Sequence, residues 1–211
     1  MLLIQSILFK LLSRFFPSIR VISETSSSQV PVSIWKYIFH FRNVRNKSLH
    51  WPINFTSQVS CAHKIYCGIE TSPGYMQGCY IQGYGGIYIG DYTQIGPFVA
   101  IISSNHMPYD TRKHNMKPVV IGKYCWIGCG AIILPGVLLG DFTTVAAGAV
   151  VTKSFPAGYS IIGGNPAKVL KVLDTDLCLP FCSKYEYNGF IKSSLFNHMT
   201  PDEFLIFLGK S

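Results

Sequence analysis

From residue 121 to residue 151 an aliphatic residue returns at every sixth position: Ile121, Ile127, Ile133, Leu139, Val145 and Val151. The same beat runs through Ile89, Ile95 and Ile101, and a fainter one through Ile53, Val59 and Ile65. Between 69 and 87 the spacing persists in another phase, at Ile69, Tyr75, Ile81 and Ile87. The residue after the aliphatic is usually small, as at Gly90, Gly96, Gly122, Gly128, Gly140 and Ala146. A period of six suits neither an α-helix, which repeats at 3.6, nor an alternating strand. It suits a parallel β-helix, in which each short strand sends one aliphatic inward and small residues serve the corners. Each coil then covers the apolar face of the one before it.

One stretch breaks the rhythm. "SSNHMPYDTRKHNMKP", residues 103–118, is polar, carries His106 and His114, and separates Ile101 from Ile121. A structureless excursion of this length is uncommon inside a compact domain unless it serves function.

The 211 residues suffice for one sizeable domain. With 48% hydrophobic and 13% charged residues the chain does not read as disordered. A formal charge of +8 suits an anionic partner without choosing one. No nucleic-acid reader motif is present, and no nucleic-acid partner is expected. Seven cysteines show no paired C-x-x-C motifs. Several fall in small, core-type slots, so they read as reduced packing residues of a cytoplasmic protein, and no metal is expected.

Residues 1–51 read as an N-terminal amphipathic helix and a basic, aromatic segment preceding the coil, with a connector at 23–31. The stretch before Pro17 is too short to span a bilayer. It packs on protein or lies on the inner membrane face, aided by Lys10, Arg14 and Arg20. Residues 52–160 read as the β-helix with its excursion at 103–118, and 161–211 as a C-terminal tail. In that tail Thr200, Pro201 and Glu203 mark the start of a short helix.

The repeat run, "NHMPYD", "CWIGCGAIILPGVLLG", "AAGAVVTKSFPAG" and "GGNPAKVLK" together resemble the hexapeptide-repeat acyltransferases. Within that family the match is to sugar and polysaccharide O-acetyltransferases of the galactoside, maltose and colanic-acid types. The resemblance covers about residues 53–172 and implies a left-handed parallel β-helix, so that with the helical segments read at both ends the chain is mainly β. It implies a homotrimer with sites between subunits, acetyl-CoA as donor, and direct transfer to a saccharide hydroxyl. It places the catalytic histidine at His106, an imidazole whose ordinary pKa suits a general base. Asn105, Asp110, His114 and Trp126 become candidates for the acceptor side; Asp110 would either orient His106 or hold the loop. The family's positions for coenzyme A fall on Cys129, Ala147, Thr152, Lys153, Lys168 and Lys171, the lysines as phosphate partners. The glutamate that galactoside-type enzymes carry in this loop is absent here. Alternatives are N-acetylation of an amino-sugar nucleotide, a γ-type carbonic anhydrase, and a non-catalytic β-helix module, structural or membrane-docking.

Overall fold

The computed structural model describes residues 17–35 and 49–196. Helix α1 spans Pro17–Glu24, opening on a proline whose missing N–H is no loss in a first turn. The helical expectations before Pro17 and after Thr200, and most of the basic segment preceding the coil, lie outside the described residues.

The rest is a left-handed parallel β-helix of triangular section. Its first sheet stacks β1 (Gln58–Ser60), β3 (Tyr80–Gln82), β6 (Ala100–Ile102), β11 (Ile132–Ile133) and β14 (Val150–Val151). The second stacks β2 (Ile65–Cys67), β4 (Ile87–Ile89), β9 (Val119–Ile121) and β12 (Leu138–Leu139). The third stacks β5 (Gln94–Ile95), β10 (Trp126–Ile127), β13 (Thr143–Val145) and β15 (Ser160–Gly163). Strand β16 (Lys168–Val172) then folds back antiparallel along β15.

The beat of the sequence is the beat of the prism. Ile121, Ile127 and Ile133 belong to the second, third and first sheets in turn, and Leu139, Val145 and Val151 repeat the circuit one coil on. Register stacks Ile81, Ile101, Ile133 and Val151 in one column. Cys67, Ile89, Ile121 and Leu139 form a second, and Ile95, Ile127, Val145 and Ile162 a third. These side chains meet on the axis and are buried together. Burying one such aliphatic stabilises by roughly 1.5–3 kcal/mol.

Two edges of the prism solve the same backbone problem differently. Between the second and third sheets, Tyr92, Tyr124, Phe142 and Tyr159 all have positive φ, from 42° to 58°. Their rings stack in order at centroid distances of 5.4, 4.8 and 5.2 Å. Left-handed backbone costs a residue with a side chain about 1–3 kcal/mol, and each aromatic pair returns about 0.5–1.5 kcal/mol beyond its burial. Phe181, from the tail, packs on Tyr92 and Tyr124. On the edge leading into the first sheet the stacked positions of positive φ are Gly78, Phe98, Gly130 and Gly148. A Cβ built on Gly130 or Gly148 would meet nothing within 4 Å.

Candidate functional site

The polar excursion is an antiparallel hairpin, β7 (Ser104–Met107) and β8 (Asp110–Met116), turning at Pro108–Tyr109. It leaves the coil at the edge between the first and second sheets. Its root is clamped: the Ser103 hydroxyl donates to the Gln82 carbonyl at 2.6 Å and accepts from Gly85 N–H at 2.9 Å. Lys117 N–H donates to the Ser103 carbonyl at 3.0 Å. Position 85 must be glycine, because a Cβ there would stand 2.2 Å from the Ser103 carbonyl oxygen.

Beyond the root the hairpin is exposed. Register places His106 opposite His114 and Asn105 opposite Asn115. The two imidazoles lie 4.4 Å apart, tilted by 43°. His106 Nδ1 stands 2.5 Å from the Thr111 carbonyl oxygen. A carbonyl only accepts, so Nδ1 carries the proton and the neutral ring keeps its lone pair on Nε2. Asp110, a candidate either to orient His106 or to hold the loop, pairs within the loop. It takes Arg112 Nε and Nη2 at 2.8 and 3.1 Å and lies 3.9 Å from Lys113 Nζ. The Arg112 guanidinium keeps the Asp110 carboxyl below its ordinary pKa. Among the described residues the hydrogen-bond partner of His106 is the Thr111 backbone carbonyl, which no residue-type signal could have revealed.

The remaining candidates fall in three places. Cys129 and Ala147 are exposed and stack on the glycine edge; Gly148 N–H donates to the Cys129 carbonyl at 2.8 Å. Lys168 pairs with Gly163 and so comes to the same edge, while Lys171 pairs with Ile161, further along β15. Thr152 and Lys153 sit past β14 on the hairpin's edge, with Lys153 Nζ 5.7 Å from the Phe155 ring centroid. Trp126 lies on the outer face of the third sheet, between Gln94 and Thr144. One chain therefore gathers His106 with His114, and Cys129 with Ala147 and Lys168, on different edges.

The thiols of Cys67 and Cys125 lie in the core, where burial pushes Cys125 up to about 12 and raises Cys67 as well. Among the described residues no three His, Cys, Asp or Glu side chains stand together as a metal site. Nor is any described helix long and apolar enough to cross a membrane.

Residues 118–153 match the family model described as bacterial transferase hexapeptide, six repeats. Nodulation protein L of Rhizobium meliloti is 46% identical over 96 residues, 43% of this chain and 51% of that protein. A provisionally named acetyltransferase of Dictyostelium discoideum is 49% identical over 90 residues, 40% of this chain and 46% of that protein. The chain thus spans about half the length of the curated relatives it matches. A galactoside acetyltransferase solved in complex with coenzyme A superposes with a TM-score of 0.55 at 23% identity, over 66% of this chain and 70% of that one. This is a hexapeptide-repeat chain, whose residues 118–153 carry the bacterial transferase repeat and whose left-handed β-helix is the fold of that galactoside acetyltransferase.

Proposed function

We propose that the protein is an acetyl-CoA-dependent O-acetyltransferase with a saccharide hydroxyl as acceptor. The observation that carries this reading is the His106 imidazole, held by Nδ1 on the Thr111 carbonyl with Nε2 left to act as base. Among the described residues Nε2 has no hydrogen-bond partner. The match to transferase repeats and to a provisionally named acetyltransferase supports the same activity.

The donor would supply a thioester-activated acetyl group. Nε2 of His106 takes the proton of the acceptor hydroxyl as its oxygen attacks, and later returns that proton to the departing thiolate. The Thr111 carbonyl favours the tautomer this needs and steadies the imidazolium while it carries the proton. For the donor the glycine edge is a fitting surface. Gly130 and Gly148 leave it bare beside Cys129 and Ala147, so an extended ligand can lie against backbone. Lys168 stands at its end as a phosphate partner. The hairpin's edge and the glycine edge are separated by the first sheet of the same chain, so the reading takes a second copy to bring hairpin and donor surface together. A homotrimer with three such junctions satisfies this for every copy.

The test is His106→Ala, assayed by coenzyme A release against a panel of sugars and lipid-linked saccharides. Turnover should fall about 10²- to 10⁴-fold, the usual worth of a general base, with acetyl-CoA affinity unchanged. Undiminished turnover would remove His106 from the mechanism.

A further inference from the structure

A second cleft lies on the third sheet, away from the hairpin. It measures about 250 Å³ and is walled by Trp126, Tyr92, Tyr124 and Phe181, with Gln94 and Gln29 at its side. Trp126 and Gln94 are register neighbours on successive coils, so an indole and a carboxamide stand side by side on one flat face. Trp126 is 46% exposed, and its indole N–H has no partner among the described residues. Gln94 Nε2 donates to the Glu70 carbonyl at 2.9 Å. That contact fixes the amide's orientation and leaves Oε1 as an acceptor. Gln29 is tied through its backbone N–H to Glu70 Oε2 at 3.0 Å, while its side chain is exposed.

The tyrosine hydroxyls that might have lined the cleft are already engaged. Tyr124 Oη donates to the Phe181 carbonyl and Tyr92 Oη to Glu186 Oε1, both at 2.9 Å. What remains open is an aromatic face, one N–H donor, one carbonyl acceptor and one amide that is both. Among the described residues no lysine, arginine, aspartate or glutamate lines the cleft, so from these residues a phosphate or an ammonium would find no counter-charge. A neutral sugar ring matches each of these features. Its C–H face covers the indole, and its neighbouring hydroxyls both donate and accept. The space is smaller than the roughly 300–1,000 Å³ of a drug-sized site, which suits a single ring lying flat.

We infer that the Trp126–Gln94–Gln29 cleft binds a neutral saccharide unit at a place separate from His106. This goes beyond the proposed reaction, sharing only its ligand class, and it would hold a longer glycan at one residue while another unit reaches a hairpin. Binding here needs no acetyl-CoA.

The experiment is a donor-free NMR titration of the tryptophan indole N–H signals with maltohexaose, cellohexaose and chitohexaose. The Trp126 signal is identified by its absence in Trp126→Phe. It should move with at least one of these glycans while the signal of the buried Trp51 stays put. Gln29→Ala and Gln94→Ala should each weaken the binding about tenfold, the worth of one good hydrogen bond; Gln29→Ala alters only an exposed side chain and guards against misfolding. His106→Ala should leave the titration unchanged. A Trp126 signal indifferent to all three glycans overturns the inference. So does a shift that survives both glutamine variants, or one that disappears in His106→Ala. If the titration succeeds but no acceptor is acetylated, the transferase reading fails and the saccharide cleft stands.

Discussion

The aromatic edge and the glycine edge carry the same left-handed corner and opposite surfaces. At the first, Tyr92, Tyr124, Phe142 and Tyr159 fill the corner with stacked rings, and the tail seals it through Phe181. At the second, Gly130 and Gly148 leave the corner bare. The positive φ of the aromatic column shows that a side chain is sterically admissible at such a corner. Glycine at 130 and 148 is therefore not demanded by the coil alone. The aromatic edge is covered from within the chain, whereas among the described residues nothing covers Gly130 and Gly148.

Three changes would break or sharpen that contrast. Removing a ring from the aromatic column should have the largest effect. Tyr124→Ala deletes two stacking contacts and the hydrogen bond to the Phe181 carbonyl, and should cost about 3 kcal/mol in urea unfolding. A loss under 1 kcal/mol would mean that the rings are decoration. Acidification should act through neither edge but through His50. Burial lowers its pKa to about 4, and its Nε2 is enclosed with no hydrogen-bond partner among the described residues. The unfolded chain takes up that proton near pH 6.5, whereas the folded chain resists until about pH 4. Stability is thus complete above about pH 6.5 and declines towards pH 4, by about 2–3 kcal/mol. His50→Phe should flatten that slope; a slope unchanged in the variant points to another group. The smallest stability change should come from Gly148→Tyr, which adds about 1–2 kcal/mol of corner strain at a position where the new Cβ meets nothing within 4 Å. Its acetyl-CoA affinity should nevertheless drop at least tenfold by calorimetry. Affinity equal to that of the parent chain would move the donor off this edge.

The coil was legible because each turn of the prism places one inward aliphatic at a fixed place in sequence. Ile127 or Val145 can be assigned to the axis from spacing alone. The aromatic column was legible in principle: Tyr92, Tyr124, Phe142 and Tyr159 each stand three residues before the inward aliphatics Ile95, Ile127, Val145 and Ile162. The interruption at 103–118 hides this period. The hairpin was not legible as a hairpin, since β7 and β8 are exposed on both faces and carry no apolar alternation. Its histidine could be singled out only by resemblance. The Thr111 carbonyl, the most telling partner of His106, is a backbone atom and leaves no mark on the sequence. The bare glycine edge was half visible, because glycines recur at corners, but which corners lie open depends on how the tail packs.

The clamp at Ser103 has a consequence for how such chains diversify. Ile89 pairs with Ile121 across the whole hairpin as directly as it pairs with Cys67 in the uninterrupted coil before it. The column of aliphatics therefore does not register what leaves the corner. The entropy of closing an excursion grows only with the logarithm of its length. A hairpin of different length and chemistry can be grafted between Ser103 and Lys117 without recutting the core. The hairpin is exchangeable, while the coil that keeps the protein folded need not change with it.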